Sequence, residues 1–157
     1  KMDCLDVLCK EVVGTAIKKE LTISTAESFT AGLIASSIAR IPGASNVLYG
    51  GAVTYMVEAK TKFLDIPRDY IEHYGVVSKN VANQMAIQIR NKTGSDFGIG
   101  TTGYAGPGDE AGHVFVSIAS DKKIYNLEMN LSLSRNMVRL TASKAVLKKL
   151  LSIIREV

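Results

Sequence analysis

Three short β-rich runs, residues 21–25, 46–55 and 96–101, alternate with segments whose apolar residues recur every three or four positions, an alternation that leaves few architectures open. Residues 3–20 set Leu5, Leu8, Val12 and Ala16 on one helical face. Residues 30–40 return to that spacing through Leu33, Ile34, Ser37 and Ile38, and Ile41-Pro42-Gly43 ends the helix. A short helix over 58–64 stops ahead of Pro67, and a long one follows Ser78, with Val81, Met85 and Ile89 on its inner face. Beyond the strand at 96–101 lie a Gly/Pro loop, two alternating segments at 113–119 and 123–131 that read as a hairpin, and a closing helix over 134–155. This order predicts an α/β fold: a three-layer α/β/α domain with a mixed central sheet, residues 1–157 forming one domain.

Composition narrows the partners. Apolar residues make up 46% of the chain and charged residues 22%, the balance of a globular protein rather than a disordered one. The apolar runs are far shorter than a membrane span needs, and no signal-peptide layout opens the chain, so a cytoplasmic protein without a membrane partner is expected. The net charge of +4 comes from scattered groups at Lys18-Lys19, Lys122-Lys123 and the last helix. No aromatic interleaving accompanies them, so they read as solvated helix faces, with an anionic small molecule favoured over nucleic acid. Cys4 and Cys9, five apart on one helix, suit neither a disulfide nor a zinc site, and no metal-spaced cluster of His, Cys, Asp and Glu occurs.

In such sheets ligands gather where strands end, and there the stretch ESFTAGLIAS (residues 27–36) stands out. Ser28 lies between a strand and a helix, where a hydroxyl either caps the helix or faces its free N–H groups as a nucleophile. A nucleophilic serine needs a base. His73 and His113 have no distinctive context, whereas Lys60, just after the second strand, is either a solvated helix lysine or the partner in a Ser-Lys pair. Ser78 reads as a helix N-cap.

Four blocks in order, ESFTAGLIA, YGGAVTYMVEAK, YGVVSKNVANQMA and TTGYAGPG, resemble the motifs of the CinA C-terminal domain family over roughly residues 27–139. The resemblance implies a nicotinamide-nucleotide amidase of the stand-alone form, a homodimer, converting nicotinamide mononucleotide to nicotinate mononucleotide and ammonia through a Ser-Lys dyad and an acyl-enzyme, with no cofactor and no metal. It places the nucleophile on Ser28, the base on Lys60 and the family tyrosine on Tyr55. The family threonine falls on Thr102, beside Gly103, and a phosphate-pairing arginine on Arg139, with Arg135 one turn earlier as the alternative. Backbone donors for the oxyanion are expected at the start of the helix, through Thr30, Ala31 and Gly32. Two departures bear on this: Phe29 and Ala31 stand where the family usually has Cys and Gly, and the loop after Pro107 is short. A Cβ at position 31 opposes a positive φ, so a binding protein of the same fold and an amidase for another carboxamide stay open as alternatives.

Overall fold

The computed structural model describes residues 3–157. Its helices are α1 (Cys4–Lys18), α2 (Leu33–Ala39), α3 (Val57–Leu64), α4 (Arg68–Tyr74), α5 (Lys79–Thr93) and α6 (Arg135–Arg155), with a 3-10 turn at Ala44–Asn46. The strands are β1 (Ile23–Glu27), β2 (Leu48–Val53), β3 (Phe97–Gly103), β4 (His113–Ala119) and β5 (Ile124–Asn130). They form one sheet in the order β2-β1-β3-β4-β5. The pairs β1–β2 and β1–β3 are parallel, and β3–β4 and β4–β5 are antiparallel, so the sheet is mixed.

Helices cover both faces, as a sheet buried on two sides requires. On one face α1, α2 and α6 pack over Ile23, Phe97, Ile99, Val114, Val116 and Ile118. On the other, α5, α3 and α4 close over Ala26 with Val81, Met85, Leu64, Ile66 and Ile71. The α5 backbone packs directly on β3 at Gly98 and Gly100. A Cβ on Gly100 would stand 2.6 Å from the Ala86 amide nitrogen and would also meet the Ala82 carbonyl, so only glycine fits.

Several boundaries differ from the sequence reading for local reasons. β1 starts two residues later than expected, because Thr22 is tied to Asp96 by its N–H and hydroxyl instead of opening the strand. β2 is shorter than the run 46–55, since residues 44–46 turn before the strand begins. Helix α4 was not foreseen: it has seven residues and one buried side chain, Ile71, too few to register a period. The expected helix at 30–40 begins only at Leu33, because Ala31 and Gly32 hold φ of +50° and +92° and cannot lie in a right-handed turn. Ser78 caps α5 by accepting the Val81 N–H at 3.1 Å. Both cysteines are free, and burial of Cys9 pushes its thiol up to about 11, away from reactivity.

Candidate active site

The parallel strands β1 and β3 run side by side, and β1 ends with Glu27 opposite Thr101, two residues before β3 ends at Gly103. β2, on the other side of β1, places Val53 opposite Glu27. The three loops that leave these strand ends therefore meet at one rim of the sheet. They enclose a cavity of about 310 Å3 lined by Ser28, Tyr55, Lys60, Thr102, Tyr104 and Arg135, among others. A second cavity, of about 840 Å3, includes Asp121, Lys122 and Lys123 in its lining, but these charges are exposed to solvent and no buried nucleophile accompanies them.

Ser28 is the first residue beyond β1 and is 8% exposed. Its N–H donates to the Thr101 carbonyl at 3.2 Å and to Thr101 Oγ1 at 3.1 Å, which fixes the serine backbone to β3. It does not cap α2. That role belongs to Glu27, whose carboxylate accepts the N–H of Ile34 at 2.9 Å and of Ala35 at 3.0 Å. Gly32, the residue at the cap position, has no side chain to offer, so Glu27 satisfies two free donors at the positive end of the helix. The Ser28 hydroxyl is thereby left for other work.

Lys60, on α3, is fully buried, an uncommon state for a lysine. Its Nζ lies 2.8 Å from Ser28 Oγ, 2.6 Å from the Thr54 carbonyl and 3.3 Å from the Tyr55 carbonyl. None of the salt bridges among the described residues includes it. Burial without a counter-charge disfavours the ammonium and lowers the Lys60 pKa from 10.5 to about 8. The neutral amine has two N–H groups, which the carbonyls of Thr54 and Tyr55 can accept. Its lone pair is then free to receive the Ser28 hydroxyl proton.

The remaining candidate residues divide. Tyr55 lines the cavity, and its Oη accepts from Arg135 Nη2 at 2.5 Å. Thr102 and Gly103 also line it, and Thr102 Oγ1 donates to the Val76 carbonyl at 2.7 Å, joining β3 to the loop ahead of α5. Thr30 and Gly32 are not on the cavity. Thr30 is fully buried with its Oγ1 3.0 Å from Thr101 Oγ1, and Gly32 turns the chain into α2. Arg139 also stands off the cavity, its guanidinium on the carbonyls of Phe29 and Thr30, whereas Arg135 lines the cavity and donates to the Gly106 carbonyl. The Ala31 N–H, expected to face an oxyanion, closes a turn on the Ser28 carbonyl at 3.0 Å. Neither histidine lines the cavity: His113 Nε2 meets Glu128 at 2.7 Å, and His73 meets the Tyr74 ring in an edge-to-face contact.

Sequence reasoning passed over Glu27 and Tyr104. Glu27 carried a signal, a carboxylate shortly before a helix whose own cap position is glycine. Tyr104 carried one as well, an aromatic residue inside the Gly/Pro loop, and it is 43% exposed at the cavity.

The model of the CinA C-terminal domain matches residues 5–154. A competence-damage inducible protein of Streptococcus pyogenes serotype M49 is 43% identical over 129 residues, 80% of this chain and 30% of that protein, so the chain spans under a third of that relative's length. A second, of Streptococcus pneumoniae strain Hungary19A-6, is 43% identical over 128 residues, 79% of this chain and 31% of its own length. Among solved structures, the competence/damage inducible protein CihA from Agrobacterium tumefaciens superposes with a TM-score of 0.90 at 30% identity, over 94% of both chains. A CinA superfamily protein from Escherichia coli gives 0.90 at 28% identity, over 95% of this chain and 90% of its own. With a match running from α1 to the end of α6 and a shared fold throughout, the chain belongs to the CinA C-terminal domain family.

Proposed function

We propose that the chain is a carboxamide hydrolase acting on nicotinamide mononucleotide through Ser28 and Lys60. One observation carries this reading: a fully buried lysine without a carboxylate partner, its Nζ 2.8 Å from the hydroxyl of a serine on the cavity wall. Neutral Lys60 accepts the Ser28 proton as Oγ attacks the carboxamide carbon, forming a C–O bond and a tetrahedral oxyanion. The proton passes from Lys60 to the amide nitrogen, the C–N bond breaks and ammonia leaves the acyl-enzyme. Water, deprotonated by the same amine, then releases the carboxylate and restores Ser28.

The rest of the cavity suits a planar ring joined to an anion. Tyr55 and Tyr104 present aromatic surface, and Arg135 brings a guanidinium to the rim, where a 5′-phosphate would find a bidentate donor. That assignment moves the phosphate contact from Arg139 to Arg135.

The test is ammonia release from nicotinamide mononucleotide by the parent, Ser28→Ala and Lys60→Ala, all verified as folded. Turnover in the parent and a loss of at least about 10³-fold in each variant is expected, since each removes a member of one unit. A folded parent that binds the nucleotide and releases no ammonia overturns the hydrolase reading for this substrate.

A further inference from the structure

The turn bearing Ser28 is held from three sides. Glu27 grips the start of α2, Thr101 holds the Ser28 N–H and the Thr30 hydroxyl, and from α6 the Arg139 guanidinium holds two carbonyls. Arg139 Nε donates to the Phe29 oxygen at 2.9 Å and Nη2 to the Thr30 oxygen at 3.2 Å, while Nη1 reaches Asn136 Oδ1 at 3.2 Å. The turn needs such support, because Ala31 and Gly32 sit consecutively at φ of +50° and +92°, and the left-handed region is unfavourable for an alanine.

In a planar trans peptide the C=O and the following N–H point in opposite directions. Holding the Phe29 oxygen on Arg139 therefore aims the Thr30 N–H away from α6, and holding the Thr30 oxygen aims the Ala31 N–H, which closes on the Ser28 carbonyl. Among the described residues the N–H groups of Phe29 and Thr30 donate to no acceptor, although both residues are buried. Unfilled buried donors are uncommon in proteins, and these two directly follow the candidate nucleophile.

We propose that Arg139 is a positioning residue: by holding the carbonyls of Phe29 and Thr30 it fixes the peptide planes of the Ser28 turn, so that the N–H of Phe29, a residue of the cavity wall, serves as a donor to the oxyanion. Arg139 itself touches no substrate. The proposal rests on the hydrolase reading for its turnover, but not for the reactivity of Ser28 toward a phosphonylating probe, whose P=O oxygen occupies the same place.

Two readouts on Arg139→Met and Arg139→Lys test it, with thermal melts alongside: the rate at which a fluorophosphonate labels Ser28, and kcat and KM for ammonia release from nicotinamide mononucleotide. Arg139→Met is expected to label about 10²-fold more slowly and to lose kcat by a similar factor, with KM within about threefold, the size of effect that follows when an oxyanion donor is lost or misaligned. Arg139→Lys, which offers a point charge in place of the fork, is expected to lose about tenfold. If Arg139→Met does not fold, Arg139→Lys decides alone, and an unchanged labelling rate overturns the proposal. A raised KM with unchanged kcat and unchanged labelling overturns it too, and makes Arg139 a substrate ligand. A parent that labels but releases no ammonia overturns the substrate assignment, and the labelling comparison then still decides the role of Arg139.

Discussion

Lys60→Met separates the cost of burying an amine from the other consequences of losing it. Methionine is close to lysine in length and carries no charge. In the parent the amine titrates near 8 when folded and near 10.5 when unfolded. Between these values the unfolded chain binds more protons than the folded one, so the Lys60 contribution makes the protein more stable as pH rises through that window. With these two pKa values, stability is expected to rise by roughly 2–3 kcal/mol between pH 7 and pH 10 from this group alone. Lys60→Met lacks the contribution. The Thr54 carbonyl, left without its Lys60 donor, costs the variant a pH-independent amount, and the other titrating groups are common to both proteins. Urea denaturation at pH 7, 8, 9 and 10 then gives a stability difference, parent minus variant, that grows with pH by roughly 2–3 kcal/mol. On the proposed mechanism the same amine governs turnover: kcat/KM of the parent should rise with pH and level off above about 8, because the base works only when neutral. A stability difference that stays flat from pH 7 to 10 would refute the argument that burial alone keeps Lys60 poised, whatever the activity profile shows.

Other outcomes follow from the geometry. Arg135→Ala is expected to raise KM for nicotinamide mononucleotide by about tenfold while leaving the KM for the phosphate-free riboside unchanged, which steady-state kinetics on both compounds would check. Gly100→Ala forces a methyl against the α5 backbone at Ala82 and Ala86, and a loss of about 2–3 kcal/mol is expected in urea denaturation, with wild-type stability contradicting the close packing. Glu27→Ala removes the acceptor for two N–H groups at the start of α2 and should cost about 1–2 kcal/mol, together with faster amide exchange at Ile34 and Ala35.

Much of the architecture is legible in the amino-acid sequence. The spacing of Val81, Met85 and Ile89 and the alternation along residues 113–119 are local signals, and local signals survive whatever surrounds them. The hairpin and the long helices therefore fall where periodicity puts them, whereas the seven-residue α4 lies below the length at which a period can be read. The start of α2 was misread for a different reason. Apolar spacing continues through Thr30 and Ala31, but a left-handed turn held by Arg139, 108 positions later than Ala31, displaces the helix to Leu33.

The candidate site shows the same division. The resemblance of the sequence blocks to the family's motifs singled out Ser28, Tyr55, Lys60 and Thr102, because residue type and order are written in the chain. Three things awaited the tertiary structure: that the Lys60 amine is buried against two carbonyls, that Glu27 and not Ser28 caps α2, and that Arg135 reaches the cavity while Arg139 holds the turn behind it. Burial and direction are properties of what surrounds a side chain. An arginine four positions from another on one helix has the same composition and spacing as its neighbour, and only the packing of α6 against the Ser28 turn separates what the two guanidiniums do.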